Sequence, residues 1–159
     1  MIMLIKLIGS LVLAISGTVS AISICRYHQK RLDTLDGFIS LIYYIRGQVD
    51  CYARPIGDIL HSLPPEILRD CNCPTGANSL EELVSESKIY LDRESLRLLT
   101  SFSGEFGSIF REEQTRRCDH YAEGLKGQRM LISNNLSGAM RSGCAVCIGF
   151  TLCLVILLW

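Results

Sequence analysis

The sequence predicts an all-α protein: a cytoplasmic bundle of five or six helices carried between an N-terminal and a C-terminal transmembrane helix. Three observations predict it. Two uncharged stretches, 7–25 and 142–159, occupy the ends of the 159-residue chain. Between them apolar residues recur every three or four positions, and no stretch alternates apolar and polar as a half-buried strand does. All sixteen acidic residues, and every basic one except Lys6, fall within 26–141. The expected domains follow that charge division: 1–25, 26–141 and 142–159.

The first run, 19 residues long, covers the roughly 30 Å hydrocarbon core as a helix. Val19-Ser20-Ala21 offers the small residues of a signal-peptide cleavage site. Against cleavage, the apolar run continues through Ile22, Ile24 and Cys25, and the positive charge (Arg26, His28, Lys30, Arg31) follows the run rather than precedes it. The positive-inside rule puts that charge in the cytoplasm. The second run, 18 residues long, has Lys126, Arg129 and Arg141 upstream of it and Trp159 at its end, a residue suited to the membrane–water interface. Both ends therefore predict one topology, with the termini outside and the middle in the cytoplasm.

In the middle, Leu32, Leu35, Phe38, Ile39, Ile42 and Ile45 form a helical stripe that carries the first helix on to about Asp50, ahead of Pro55. Pro55 opens a short helix, Pro64 and Pro65 end it and open another, and CNCPTGAN (71–78) reads as a loop. Ser79 and Glu82 have the spacing of a capping box, opening a helix to about Tyr90. Asp92 caps the next, in which Leu96, Leu99, Phe102 and Phe106 keep helical spacing and Gly104 and Gly107 bracket the end. The last helix starts near Ser108. Phe110, Gln114, Cys118, Tyr121 and Leu125 share its inward face, and Glu112–Arg116 and Glu113–Arg117 are spaced for i to i+4 pairs.

A formal net charge of zero gives no electrostatic case for nucleic acid. There is no Gly-rich phosphate loop. Cytoplasmic Cys51, Cys71, Cys73 and Cys118 are expected to stay reduced. Cys71 and Cys73 with His61 supply at most three zinc ligands where a structural site takes four. Cys144-x-x-Cys147 falls inside the second apolar run, and His120 has no nucleophile to serve. We therefore expect no catalytic residue, no metal and no cofactor, with a membrane-anchored redox or metal protein using these residues as the alternative. Arg111, Arg116 and Arg117 form a local basic patch that reads either as a solvated face or as a docking face.

Two segments carry a family resemblance: RLDTLDGFISLIYYIRGQVDCYARPIGDIL (31–60) and FSGEFGSIFREEQTRRCDHYAEGL (102–125). With the two apolar ends, they make nearly the whole chain resemble stage III sporulation protein AB. Gly107, Glu112, Glu113 and Gln114 match that family's glycine turn and acid–acid–Gln helix start, while Ile109 and Phe110 depart from its polar cap. The family is similar to the inner-membrane platform proteins of type II secretion and type IV pilus machines. The resemblance implies a non-enzymatic adaptor in the mother-cell membrane around the forespore, within a channel joining the two cells. Its implied partners are the ATPase stage III sporulation protein AA, other membrane subunits of the channel and the lipid bilayer; self-association stays open. The partner-binding residues expected on this reading are Arg111, Glu112, Glu113, Arg116 and Arg117. A platform of another secretion or pilus apparatus is the alternative within the same class.

Overall fold

A computed structural model describes residues 2–52, 55–73, 76–105 and 111–158. Six α-helices and one 3₁₀ turn make up these residues, and no strand occurs among them. The all-α expectation holds. The order is α1 (Ile2–Tyr52), α2 (Ile56–His61), α3 (Pro65–Asp70), α4 (Leu80–Ser87), the 3₁₀ turn Lys88–Tyr90, α5 (Arg93–Glu105) and α6 (Arg111–Leu158).

The placement of proline explains why two helices are long and two are short. All four prolines lie within 55–74. α1 and α6 contain none and run for 51 and 48 residues, whereas α2 and α3 have six residues each. Pro55 is the N-cap of α2, and Pro65 sits in the first turn of α3, where a missing N–H costs nothing. After α3 the chain turns through Asn72 at φ 61° and Gly76 at φ 79°, left-handed conformations that Asn and Gly adopt most readily. Ser79 caps α4 by accepting the Glu82 N–H at 3.1 Å. The Glu82 carboxylate reaches one residue further back than in a standard capping box and accepts the Asn78 N–H at 2.8 Å. Asp92 caps α5 through Oδ2, which accepts the N–H groups of Glu94 and Ser95.

The chain divides into two compact units. The larger, Lys30–Ile132, is the bundle. Its core takes Leu35, Phe38, Leu41, Ile42, Ile45 and Val49 from α1, with Ile59 and Leu60 from α2. α4 adds Leu83, α5 adds Leu99 and Phe102, and α6 adds Cys118, Tyr121, Ala122 and Leu125. Gly37 sits where the end of α3 crosses α1: a Cβ there would lie 2.6 Å from the Asp70 carbonyl carbon and 2.8 Å from the Cys71 nitrogen. The close crossing buries the Cys71 carbonyl, which accepts a hydrogen bond from Ser87 Oγ.

The smaller unit comprises Met1–Gln29 and Ser133–Trp159. The two flanking transmembrane helices are not found: among the described residues no helix is long and apolar enough to cross a membrane. The runs 7–25 and 142–159 include side chains that lie outside the described residues. Those of its large apolar side chains that are described stand out from the surface, at 50–59% exposure from Val12 to Ile24 and 57–72% from Val146 to Ile156. Ser16, Thr18 and Ser20 donate their hydroxyls to backbone carbonyls three or four residues back in the same helix.

Candidate functional site

The first described turn of α6 carries Glu112 and Glu113, where acids complement the positive end of the helix dipole. From there the helix presents Cys118, Tyr121, Ala122 and Leu125 to the core. Spacing places Cys118, Tyr121 and Leu125 there, whereas Gln114, which it places with them, is only half-buried and Ala122 joins in its stead. Phe110, placed on that face by the same spacing, and the expected start near Ser108 lie outside the described residues. Tyr121 packs edge-on against Phe102 at 5.5 Å between ring centres.

The outward face is a set of matched charges. Arg117 donates to Glu105 of α5 at 3.0 Å and to Glu113 at 3.3 Å. Glu105 also accepts the Tyr121 hydroxyl at 2.9 Å. Burial, then the neighbouring Glu105 carboxylate, pushes the Tyr121 hydroxyl above its ordinary pKa. Arg116 bonds to Glu113, not to Glu112 as its spacing suggested. The hydrogen bond from Arg117, joined by the charge of Arg116, holds Glu113 below the usual carboxylate range.

Four more contacts join α6 to α1. Arg129 forks onto Asp36 at 2.5 and 2.8 Å. Lys126 donates to the Tyr43 hydroxyl at 2.8 Å while lying 4.8 Å from its ring centre. Arg46 meets Asp119 at 2.7 Å. Arg111 reaches the Asp50 carbonyl and, at 3.3 Å, its carboxylate. Each step along α1 is matched by a step back along α6, so the two helices are antiparallel neighbours within the bundle. No sequence signal announced these partners, which lie between 61 and 93 positions apart in the chain.

Of the five expected contact residues, Arg111, Glu113, Arg116 and Arg117 each lie in an ion pair within the bundle. Arg116 keeps 78% of its side chain exposed, and Glu112 is exposed without an ion pair among the described residues. Together with Asp50, Arg111, Thr115 and Asp119 they line one open depression. The chemistry-bearing residues do not converge there. His61 and His120 are exposed, and His120 stacks edge-on against Tyr121. Cys71, Cys73 and Cys118 are buried. Burial pushes the Cys71 thiol well above its ordinary value and the Cys118 thiol up to about 11, so both behave as small apolar residues. No group of three or more His, Cys, Asp or Glu able to hold a metal occurs among the described residues.

Fold and surface together define a small all-helical protein: a bundle bounded by two long antiparallel helices and faced with paired charges. The chain belongs to the stage III sporulation protein AB family, whose sequence profile matches residues 6–159. Its role accordingly lies in stage III of sporulation. No curated protein and no solved structure matches it.

Proposed function

We propose that the protein is a non-enzymatic membrane platform of the sporulation channel, seating the ATPase stage III sporulation protein AA on the mother-cell membrane and coupling it to the channel's other subunits. The observation that carries the anchoring is the contrast between the two units. The bundle buries most of its large apolar residues and leaves a few exposed, Ile89, Met130 and Leu131 among them, while the terminal unit exposes Val12, Ile15, Val19, Ile22 and Ile24 on one helix and Val146, Ile148, Phe150, Leu152 and Ile156 on the other. Exposed apolar area on that scale favours a lipid or protein covering over water. The back-bonded hydroxyls of Ser16, Thr18 and Ser20 suit the same setting, since a polar group in hydrocarbon needs an internal partner. The ATPase as partner rests on the family resemblance. Its contact face is the depression around Glu112 and Arg116, both well exposed, with Arg111, held to Asp50, on its wall.

The full-length chain in lipid nanodiscs is expected to bind the ATPase at about micromolar affinity or tighter, a free energy near −8 kcal/mol. Reversing both exposed charges, Glu112→Lys with Arg116→Glu, is expected to weaken that binding about tenfold or more, or 1.4 kcal/mol, without loss of helicity. Absence of binding by the unaltered chain refutes the coupling. Release of the protein from vesicles by alkaline carbonate refutes the anchoring.

A further inference from the structure

Between α4 and α5 the bundle carries an open groove of about 210 Å³. Its walls are two helical stripes. Glu81, Val84, Ser85 and Lys88 step along α4 and the 3₁₀ turn, and Leu96, Thr100 and Ser103 step along α5. The groove therefore follows both helices for about 10 Å, the rise from Glu81 to Lys88. Val84, buried, and Leu96, half-buried, give it an apolar floor. The polar atoms around that floor are mostly acceptors. Thr100 donates its hydroxyl hydrogen to the Leu96 carbonyl at 2.8 Å, and Ser103 donates to the Thr100 carbonyl at 2.9 Å, so each oxygen keeps only lone pairs for a ligand. Glu81 adds an exposed carboxylate, and Glu82 and Glu86 add two more on the adjoining stripe of α4, a helix without Lys or Arg. None of the three lies in an ion pair among the described residues. Lys88 stands at the opposite end of the groove from Glu81.

We propose that the α4–α5 groove is a docking surface for a basic amphipathic helix of a partner protein. Such a helix lays an apolar residue against Val84 and Leu96 and turns a Lys or Arg, one helical turn away, to Glu81 and the acceptor hydroxyls. With its N-terminus over Glu81 and its C-terminus over Lys88, both ends of its dipole meet the opposite charge. Ile89, which follows Lys88 and is 73% exposed, offers a further apolar contact. The groove is smaller than the roughly 300–1,000 Å³ of pockets that enclose a small molecule. Its unpaired carboxylates repel the phosphates of nucleic acid. The surface belongs to α4 and α5, is distinct from the α1–α6 depression assigned to the ATPase, and stands whether or not that assignment holds.

The test uses the full-length chain in phosphatidylcholine nanodiscs and a fluorescein-labelled synthetic probe, a stapled helix of about four turns with Leu and Lys on one face. A twin probe carries Glu in place of Lys. Fluorescence anisotropy at about 0.15 M salt, corrected for empty nanodiscs, reads binding. The unaltered chain is expected to bind the Lys helix about tenfold or more tightly than the Glu helix. Thr100→Arg, which lays a long cation across the floor, and the double variant Glu81→Gln/Glu86→Gln are each expected to weaken binding of the Lys helix about fivefold, at helicity unchanged by circular dichroism. Glu66→Gln, which removes an exposed carboxylate from α3, and Glu112→Lys/Arg116→Glu, which alters the ATPase face, are expected to bind it as the unaltered chain does. Equal binding of the two helices, or binding of neither, overturns the proposal. So does binding of the Lys helix that Thr100→Arg leaves intact or that either control variant weakens as much. Failure of the ATPase to bind, with this pattern retained, overturns the ATPase reading alone.

Discussion

Replacing Gly37 by alanine tests the packing of the bundle at its tightest crossing. The added methyl would stand 2.6, 2.8 and 2.9 Å from three backbone atoms of Asp70 and Cys71, whereas ordinary contact begins at 3.4 Å. Backbone cannot swing aside as a side-chain end can, so the α3 end must retreat from α1 by close to an ångström. That retreat costs about 1–3 kcal/mol as overpacking. It also pulls the Cys71 carbonyl from Ser87 Oγ, and a buried carbonyl left without a donor costs about 1–3 kcal/mol more. Alanine's better helix propensity offsets about 1 kcal/mol of this. The expected net loss is about 1–5 kcal/mol, centred near 3, which for a unit of this size lowers the melting temperature by about 4–8 °C per kcal/mol. Gly47, on the same helix with nothing within 4 Å of its would-be Cβ, is the control; Gly47→Ala is expected to be neutral or stabilising by up to about 1 kcal/mol. Thermal unfolding followed by circular dichroism compares the two. A Gly37→Ala protein that melts with Gly47→Ala or above the unaltered chain refutes the crossing.

Thiol accessibility gives a second check: a thiol reagent at pH 8 is expected to modify exposed Cys51 quickly and to leave Cys71 and Cys118 unmodified until the bundle unfolds. Ser79→Ala removes the cap of α4 and is expected to cost about 1 kcal/mol, read by denaturant unfolding with an unchanged slope. Because Arg117 and Arg116 hold Glu113 below its ordinary value, its stabilising effect is present above the unfolded carboxyl pKa near 4.5 and lost as pH falls through the lower folded value. An acid-unfolding titration is expected to show this contribution shrink in Arg117→Gln, with Arg116 alone left to lower Glu113.

Local chemistry was legible in the sequence, and distant geometry was not. The proline cluster, the Ser79 and Asp92 caps and the stripe Leu35–Phe38–Ile42–Ile45 are short-range signals, and the helices start and run where they indicate. Gly104 and Gly107, read as bracketing a helix end, do so: α5 ends at Glu105, between the two positions. Gly37 reads as an ordinary glycine in a helical stripe; only the approach of Asp70 from a separate helix gives it a role. In the candidate site, spacing gave Glu113–Arg117 correctly but offered Glu112 to Arg116 when Glu113, one turn away at i−3, takes it. The contacts from Asp36 to Arg129 and from Asp50 to Arg111 have no periodic trace, since each joins residues whose only relation is that α1 and α6 lie side by side.

Those cross-helix contacts bear on specificity more than on stability. Each is partly exposed, and an exposed ion pair contributes at most about 1 kcal/mol. Leucine and isoleucine faces tolerate a slide of one helical turn, since an aliphatic surface looks much the same four residues along. Asp36, Tyr43, Arg46 and Asp50 do not, because a slide of one turn separates all four from Arg129, Lys126, Asp119 and Arg111 together. Their combined effect is an energy gap between the native alignment of the two long helices and its nearest misaligned competitor, so that a sequence which could collapse in several registers is left with one.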